Sequence, residues 1–89
     1  MRTNRRFGRF ELSEVDVENM TVGARKVMEN VLILRAEYMF STRTFEYSAL
    51  SPLFRELSEG EQIPFYEFLI GGNVERKPTF VSVVEVSGR

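Results

Sequence analysis

The chain has 89 residues, 43 % of them hydrophobic and 28 % charged, and its 12 bases against 13 acids leave a net charge of −1. That length implies one domain and that composition a folded one, with eight Phe and three Tyr to build a small core. Cys and His are both absent, which excludes disulfides, thiol nucleophiles, the usual zinc and iron ligand sets and the commonest general base at neutral pH.

Charge is unevenly placed. Residues 1–10 hold Arg2, Arg5, Arg6 and Arg9 and no acid, so they carry +4; the other 79 residues hold all 13 acids against eight bases, which is −5. This reads as a flexible basic arm, residues 1–10, on a single acidic domain, residues 11–89. Within the domain, Ser13-Glu14-Val15-Asp16 is an N-cap with an acid at the third helical position, and the acids at 14, 16 and 18 suit a helix start. A short helix over roughly 14–20 follows. Thr21 can cap a second, with Ala24, Val27, Met28 and Val31 at helical spacing and Gly23 weakening it.

From Val31 the period changes. Leu32, Leu34, Ala36, Tyr38 and Phe40 alternate with Ile33, Arg35, Glu37 and Met39, although a continuing helix would also gather Val31, Leu34 and Tyr38. A strand is the preferred reading, because Ser41-Thr42-Arg43-Thr44 then forms a hairpin loop and Phe45, Tyr47 and Ala49 resume the alternation. Ser51-Pro52 through Gly60 has Ser at N-cap, Pro at the first helical position and Gly beyond the end, a turn of helix. Pro64 opens a strand over Phe65 to Ile70, Gly71-Gly72-Asn73 turns it, and Pro78 precedes a last strand over Thr79 to Val86. The fold class is therefore α+β: one or two short N-terminal helices and a four-stranded antiparallel meander, with a helical turn between strands two and three. Tyr38, Phe45, Tyr47, Phe54, Phe68 and Phe80 are the expected core.

The stretch from about Leu32 to Val86 contains Tyr47-Ser48-Ala49-Leu50-Ser51-Pro52-Leu53-Phe54, Glu59-Gly60 and Ile63-Pro64-Phe65-Tyr66. On these residues it resembles small proteins encoded in phage and prophage genomes. The resemblance assigns no functional residue.

Chemistry-bearing patterns are sparse. The two lysines, Lys26 and Lys77, stand in no S-x-x-K setting, and no D-x-D-x-D-G loop occurs. No catalytic residue, metal ligand, cofactor or small-molecule substrate is expected, and the chain reads as a non-enzyme. Glu56, Glu59 and Glu61 flank Gly60 as a solvated helix end, Arg25 and Lys26 pair with Glu29 along a helix, and Gly71-Gly72 is a turn rather than a phosphate loop. The longest apolar run, Val31 to Leu34, is too short for a membrane span, and no apolar region follows Arg9 to make a secretory signal. A cytoplasmic protein with no membrane partner is the expectation.

Two surfaces stand out. The arm offers Arg2, Arg5, Arg6 and Arg9 for phosphate contacts, with Phe7 and Phe10 able to stack on unpaired bases. The segments Phe65–Ile70 and Thr79–Val84 are apolar on both faces, so Phe65, Phe68, Val81 and Val83 suggest an association face. The leading expectation is an interaction or structural module that self-associates or binds another protein. A nucleic-acid-associated protein that works through the arm is the alternative.

Overall fold

Gly8, Phe10 and Leu12 alternate with Arg9, Glu11 and Ser13. That places an apolar row and a polar row on opposite sides of an extended chain. In the computed structural model, which describes residues 6–72 and 79–86 and the side chains of 6–69 and 81–86, Phe7–Ser13 is a strand, β1, and it lies in the middle of the sheet. Ser13 ends β1 and caps the next element in the same step: its hydroxyl accepts the Asp16 N–H at 3.1 Å and opens helix α1, Glu14–Asn19. Met20 closes α1 at a φ of 46°, and the Thr21 hydroxyl then accepts the Ala24 N–H to start helix α2, Val22–Glu29. Strands β2 (Leu32–Met39), β3 (Thr44–Leu50), β4 (Phe65–Gly72) and β5 (Thr79–Val86) complete the chain.

The sheet order is β2-β3-β1-β4-β5. β1 pairs antiparallel with β3 along its whole length, from Phe7 opposite Leu50 to Ser13 opposite Thr44. On its other side it runs parallel to β4, joined at Arg9 opposite Phe65, with the Arg9 N–H donating to the Pro64 carbonyl at 3.0 Å. β2–β3 and β4–β5 are antiparallel, and Leu34 is an extra residue in β2 between the Ile33–Ala49 and Arg35–Ser48 pairs.

One face of the sheet carries the core. Phe10, Tyr47, Ala49 and Tyr66 are buried there beneath Val27 of α2, and Phe54 packs among them from the β3–β4 link, residues 51–64. Phe10 stacks on Tyr47 with centroids 5.2 Å apart and meets Phe68 edge-on at 5.0 Å. The link crosses over the start of β1 to reach the far side, and Gly8 makes the crossing passable. Phe54 and Tyr66 stack at 4.5 Å directly on it, and a Cβ added at Gly8 would lie 2.7 Å from both rings. The opposite face is open and mixed: Arg9, Glu11, Arg35, Glu37, Glu46 and Glu67 are half-buried or exposed there, beside the exposed Leu69 and Val84.

The chain is α+β, but it is not a four-stranded antiparallel meander: a fifth strand, β1, separates β3 from β4 and makes the sheet mixed. The arginines of residues 1–10 masked the alternation that continues through Leu12. Phe7 to Phe10 belong to β1, whereas Arg2 and Arg5 lie outside the described residues. Ser51 to Gly60 forms turns and no helix. The Ser51 hydroxyl donates to the Asn30 carbonyl at 2.6 Å, and the Arg55 N–H turns to the Tyr66 hydroxyl at 3.1 Å, so no second helical bond follows Phe54 N–H to Ser51 C=O. Gly71 and Gly72 pair with Phe80 and Thr79 as strand residues; Asn73 and Pro78 lie outside the described residues.

Of the expected core, Tyr47 and Phe54 are buried and Phe45 and Phe68 partly so. Tyr38 is exposed, because it sits on edge strand β2 with no strand beyond it among the described residues and only its hydroxyl meets a helix, at Glu14 of α1. The Phe80 side chain lies outside the described residues. Phe10 and Tyr66 belong to the core and were not anticipated.

Gly8→Ala is expected to destabilise by about 1–3 kcal/mol, through overpacking against two rings that have no free volume. Phe54→Ala is expected to cost about 3–5 kcal/mol. Tyr38→Ala, on the edge, is expected to cost much less than either. Urea unfolding of the three variants beside the parent chain measures the order; a Gly8→Ala protein as stable as the parent would show that the crossing does not need the glycine.

Candidate functional site

The residues of the basic segment take separate places. The Arg6 guanidinium donates to the Phe54 carbonyl at 2.7 Å, and the Arg6 carbonyl accepts the Ser51 N–H, so Arg6 ties the crossing link to the sheet. Arg9 lies on the open face, 3.6 Å from Glu46 and 5.7 Å above the ring of Phe65. Phe10 is 1 % exposed and belongs to the core, while Phe7 is half-buried in β1. The described part of the segment therefore gathers no arginine cluster with exposed rings: Arg6 and Arg9 have partners of their own, and Phe10 faces inward.

Phe65, Phe68, Val81 and Val83 do not form one face. Phe65 is buried on the open side under Arg9, whereas Phe68 and Val83 stand opposite each other on the helix-covered side and pack against the core. Val81 shares the side of Val83 by strand alternation. α2 covers part of that side, so these residues are largely spent on the fold.

Glu61 and Glu85 are organised around one cation. Arg55 Nε donates to Glu85 at 2.9 Å, its Nη2 reaches Glu85 at 3.3 Å and also pairs with Glu61, and Glu61 further accepts the Ser58 N–H at 2.9 Å. Hydrogen bonds from Arg55 hold both carboxyls below their ordinary range, and the two carboxylates raise the guanidinium in turn. All three side chains are solvated, and the cluster ties the link to β5. Glu56 and Glu59 are exposed; Lys26 pairs with Glu29 at 3.6 Å, while Arg25 donates to the Met20 carbonyl instead.

A cleft of about 450 Å³ opens where β1 and β4 part beyond Arg9 and Phe65, and Leu12, Val27, Tyr66 and Phe68 line it with Glu11, Asp16 and Glu67. Among the described residues no group of three or more acids is placed to hold a metal ion. No helix of the described chain is long and apolar enough to cross a membrane.

The most exposed apolar surface lies at β2 and the turn after it. Phe40 is 85 % exposed, and Leu32, Leu34 and Tyr38 are also open to solvent. Tyr38 packs on Phe45 at 5.0 Å and meets Phe40 at 6.3 Å, and its hydroxyl donates to Glu14 at 2.8 Å, which raises the phenol. Sequence alternation located this strand but not its position at the edge, because strand order is a property of pairing across the chain. The chain matches no protein-family model, no curated protein and no solved structure.

Arg55→Met is expected to flatten the acid limb of stability. The folded carboxyls of Glu61 and Glu85 lie below the ordinary value of 4.5, so their contribution is complete above that value and fades as pH falls through the folded values. Melting temperatures of the parent chain should drop more steeply than those of the variant from roughly pH 5 to pH 3, with the gap shrinking in high salt. Parallel curves would remove Arg55 as the cause.

Proposed function

We propose that this chain is a small non-enzymatic interaction module that acts by self-association through the β2 side of its sheet. The observation that carries the reading is a strand at the sheet's edge whose flanking apolar residues, Leu32, Leu34, Tyr38 and Phe40, are all exposed in the single chain. An edge strand presents a row of backbone donors and acceptors. Exposed apolar side chains on both sides of that row favour its pairing with another strand, because pairing removes their apolar area from water. The polar face and the short helices add no assembled set of nucleophile, base and stabilising donors to compete with this reading.

Sedimentation of the purified chain over a wide concentration range tests it. The mass is expected to rise with concentration above the 10.4 kDa of one chain, and Phe40→Ser is expected to weaken that rise without lowering the melting temperature of the monomer. A mass fixed at one chain throughout would overturn the proposal.

A further inference from the structure

The geometry points to a defined occupant for the β2 edge: β2 of a second copy, paired antiparallel about a two-fold axis through Ala36. The inference rests on the self-association reading and adds its register. Among the described residues no strand lies outside β2, so its outer edge is available. A two-fold axis perpendicular to the sheet makes one continuous sheet from two copies and keeps both pairs of helices on the same side. Such an axis must pass beside one residue of β2, which then faces itself.

The charges of β2 choose among these centres. Arg35 and Glu37 flank Ala36 and share the open face, as their partners Ser48 and Glu46 on β3 require. Centred on Arg35 or on Glu37, the pair would set like charges opposite each other; centred on Leu34, it would set each charge against an apolar residue. Centred on Ala36, Arg35 of each copy stands opposite Glu37 of the other, twice over, and Leu34 stands opposite Tyr38. Ala36 is exposed and too small to obstruct the axis.

The single chain leaves this pairing open. Neither Arg35 nor Glu37 forms an ion pair among the described residues. Glu37 faces Glu46 across β2–β3, and Glu46 faces Glu11 across β3–β1, a row of like charges that is unfavourable when uncompensated. Arg9 reaches Glu46 at 3.6 Å. In the two-fold pair the second copy's Arg35 supplies the cation for Glu37. β5, the other edge, has no cation in Thr79–Val86, and its Glu85 is already held by Arg55, so no self-pairing there gains an ion pair.

Charge reversal reads the register directly. R35E and E37R, each alone, are expected to raise the dimer dissociation constant about ten-fold or more, since each sets two like-charge pairs across the axis. The double variant R35E/E37R is expected to recover the parent value. An equimolar mixture of the two single variants is expected to form a mixed dimer, because each presents the complement of the other at both positions. A second readout uses the absence of native cysteine. A36C is expected to give a disulfide-linked dimer on mild oxidation, since facing strand residues lie about 4.5–5.5 Å apart at Cα, within disulfide reach. Circular dichroism confirms that each variant is folded. A parent that dimerises while both single reversals dimerise equally well, or while A36C fails to cross-link, overturns this register and leaves self-association standing. A parent that remains a monomer overturns both.

Discussion

The contact of Gly8 with the stacked rings of Phe54 and Tyr66 is the constraint on which the rest of the sheet depends. β3 ends and β4 begins at the same end of the molecule, on either side of β1, and the link between them must pass over the start of the central strand. It passes on the core side, where every other strand position carries a side chain. With glycine at the crossing, an aromatic residue of the link drops onto the backbone of β1 and becomes core itself. Arg6 and Ser51 then fasten the link, one by the Phe54 carbonyl and the other by the Asn30 carbonyl. A larger residue at position 8 would lift the link off the sheet and loosen the seat of β4.

That placement also explains the polarity of the molecule. A central strand in a sheet covered on one side only must present polar residues to the other, and Arg9, Glu11 and Ser13 do so. The acids and bases of the open face follow in cross-strand rows, with Arg35, Ser48 and Arg9 in one and Glu37, Glu46 and Glu11 in the next. The interior of the sheet compensates much of this charge internally. Its β2 border does not, and Leu32, Leu34, Tyr38 and Phe40 stand uncovered along the same border.

Local signals in the sequence agree with the structure where the chain's own neighbours decide it. Ser13 and Thr21 cap the helices they were expected to cap, alternation located β2 and β3, and the apolar runs behind Pro64 and Pro78 located β4 and β5. The signals failed where the deciding partner is distant. The strand pattern of Phe7–Ser13 is overshadowed by the arginines around it, Arg2, Arg5, Arg6 and Arg9, of which only Arg9 falls within the strand. The Ser51-Pro52 helix start was overridden because the Tyr66 hydroxyl takes the Arg55 N–H. Aromatic content predicted a ring-rich core but not which rings, since Tyr38 and Tyr47 occupy equivalent alternation and differ in that β2 is an edge strand and β3 lies between two others. The edge surface has no motif of its own; it becomes visible only once strand order is known.

The position of β1 also shapes how the chain reaches its fold. The β2–β3 hairpin closes through a four-residue turn at residues 40–43 and needs nothing but itself. β1, the first strand in the chain, has both of its neighbours far along the sequence: Phe7 faces Leu50, and Arg9 faces Phe65. Closing loops of that length costs entropy before any contact is gained, which slows folding relative to domains built on local contacts. During synthesis β1 is made before either of its partners, and it waits with an apolar row, Phe10 and Leu12, and two open edges. The polar residues on its other face, Arg9, Glu11 and Ser13, keep that waiting strand solvated on one side, so the side chains that leave the finished sheet open on that face also protect the chain before the sheet closes around it.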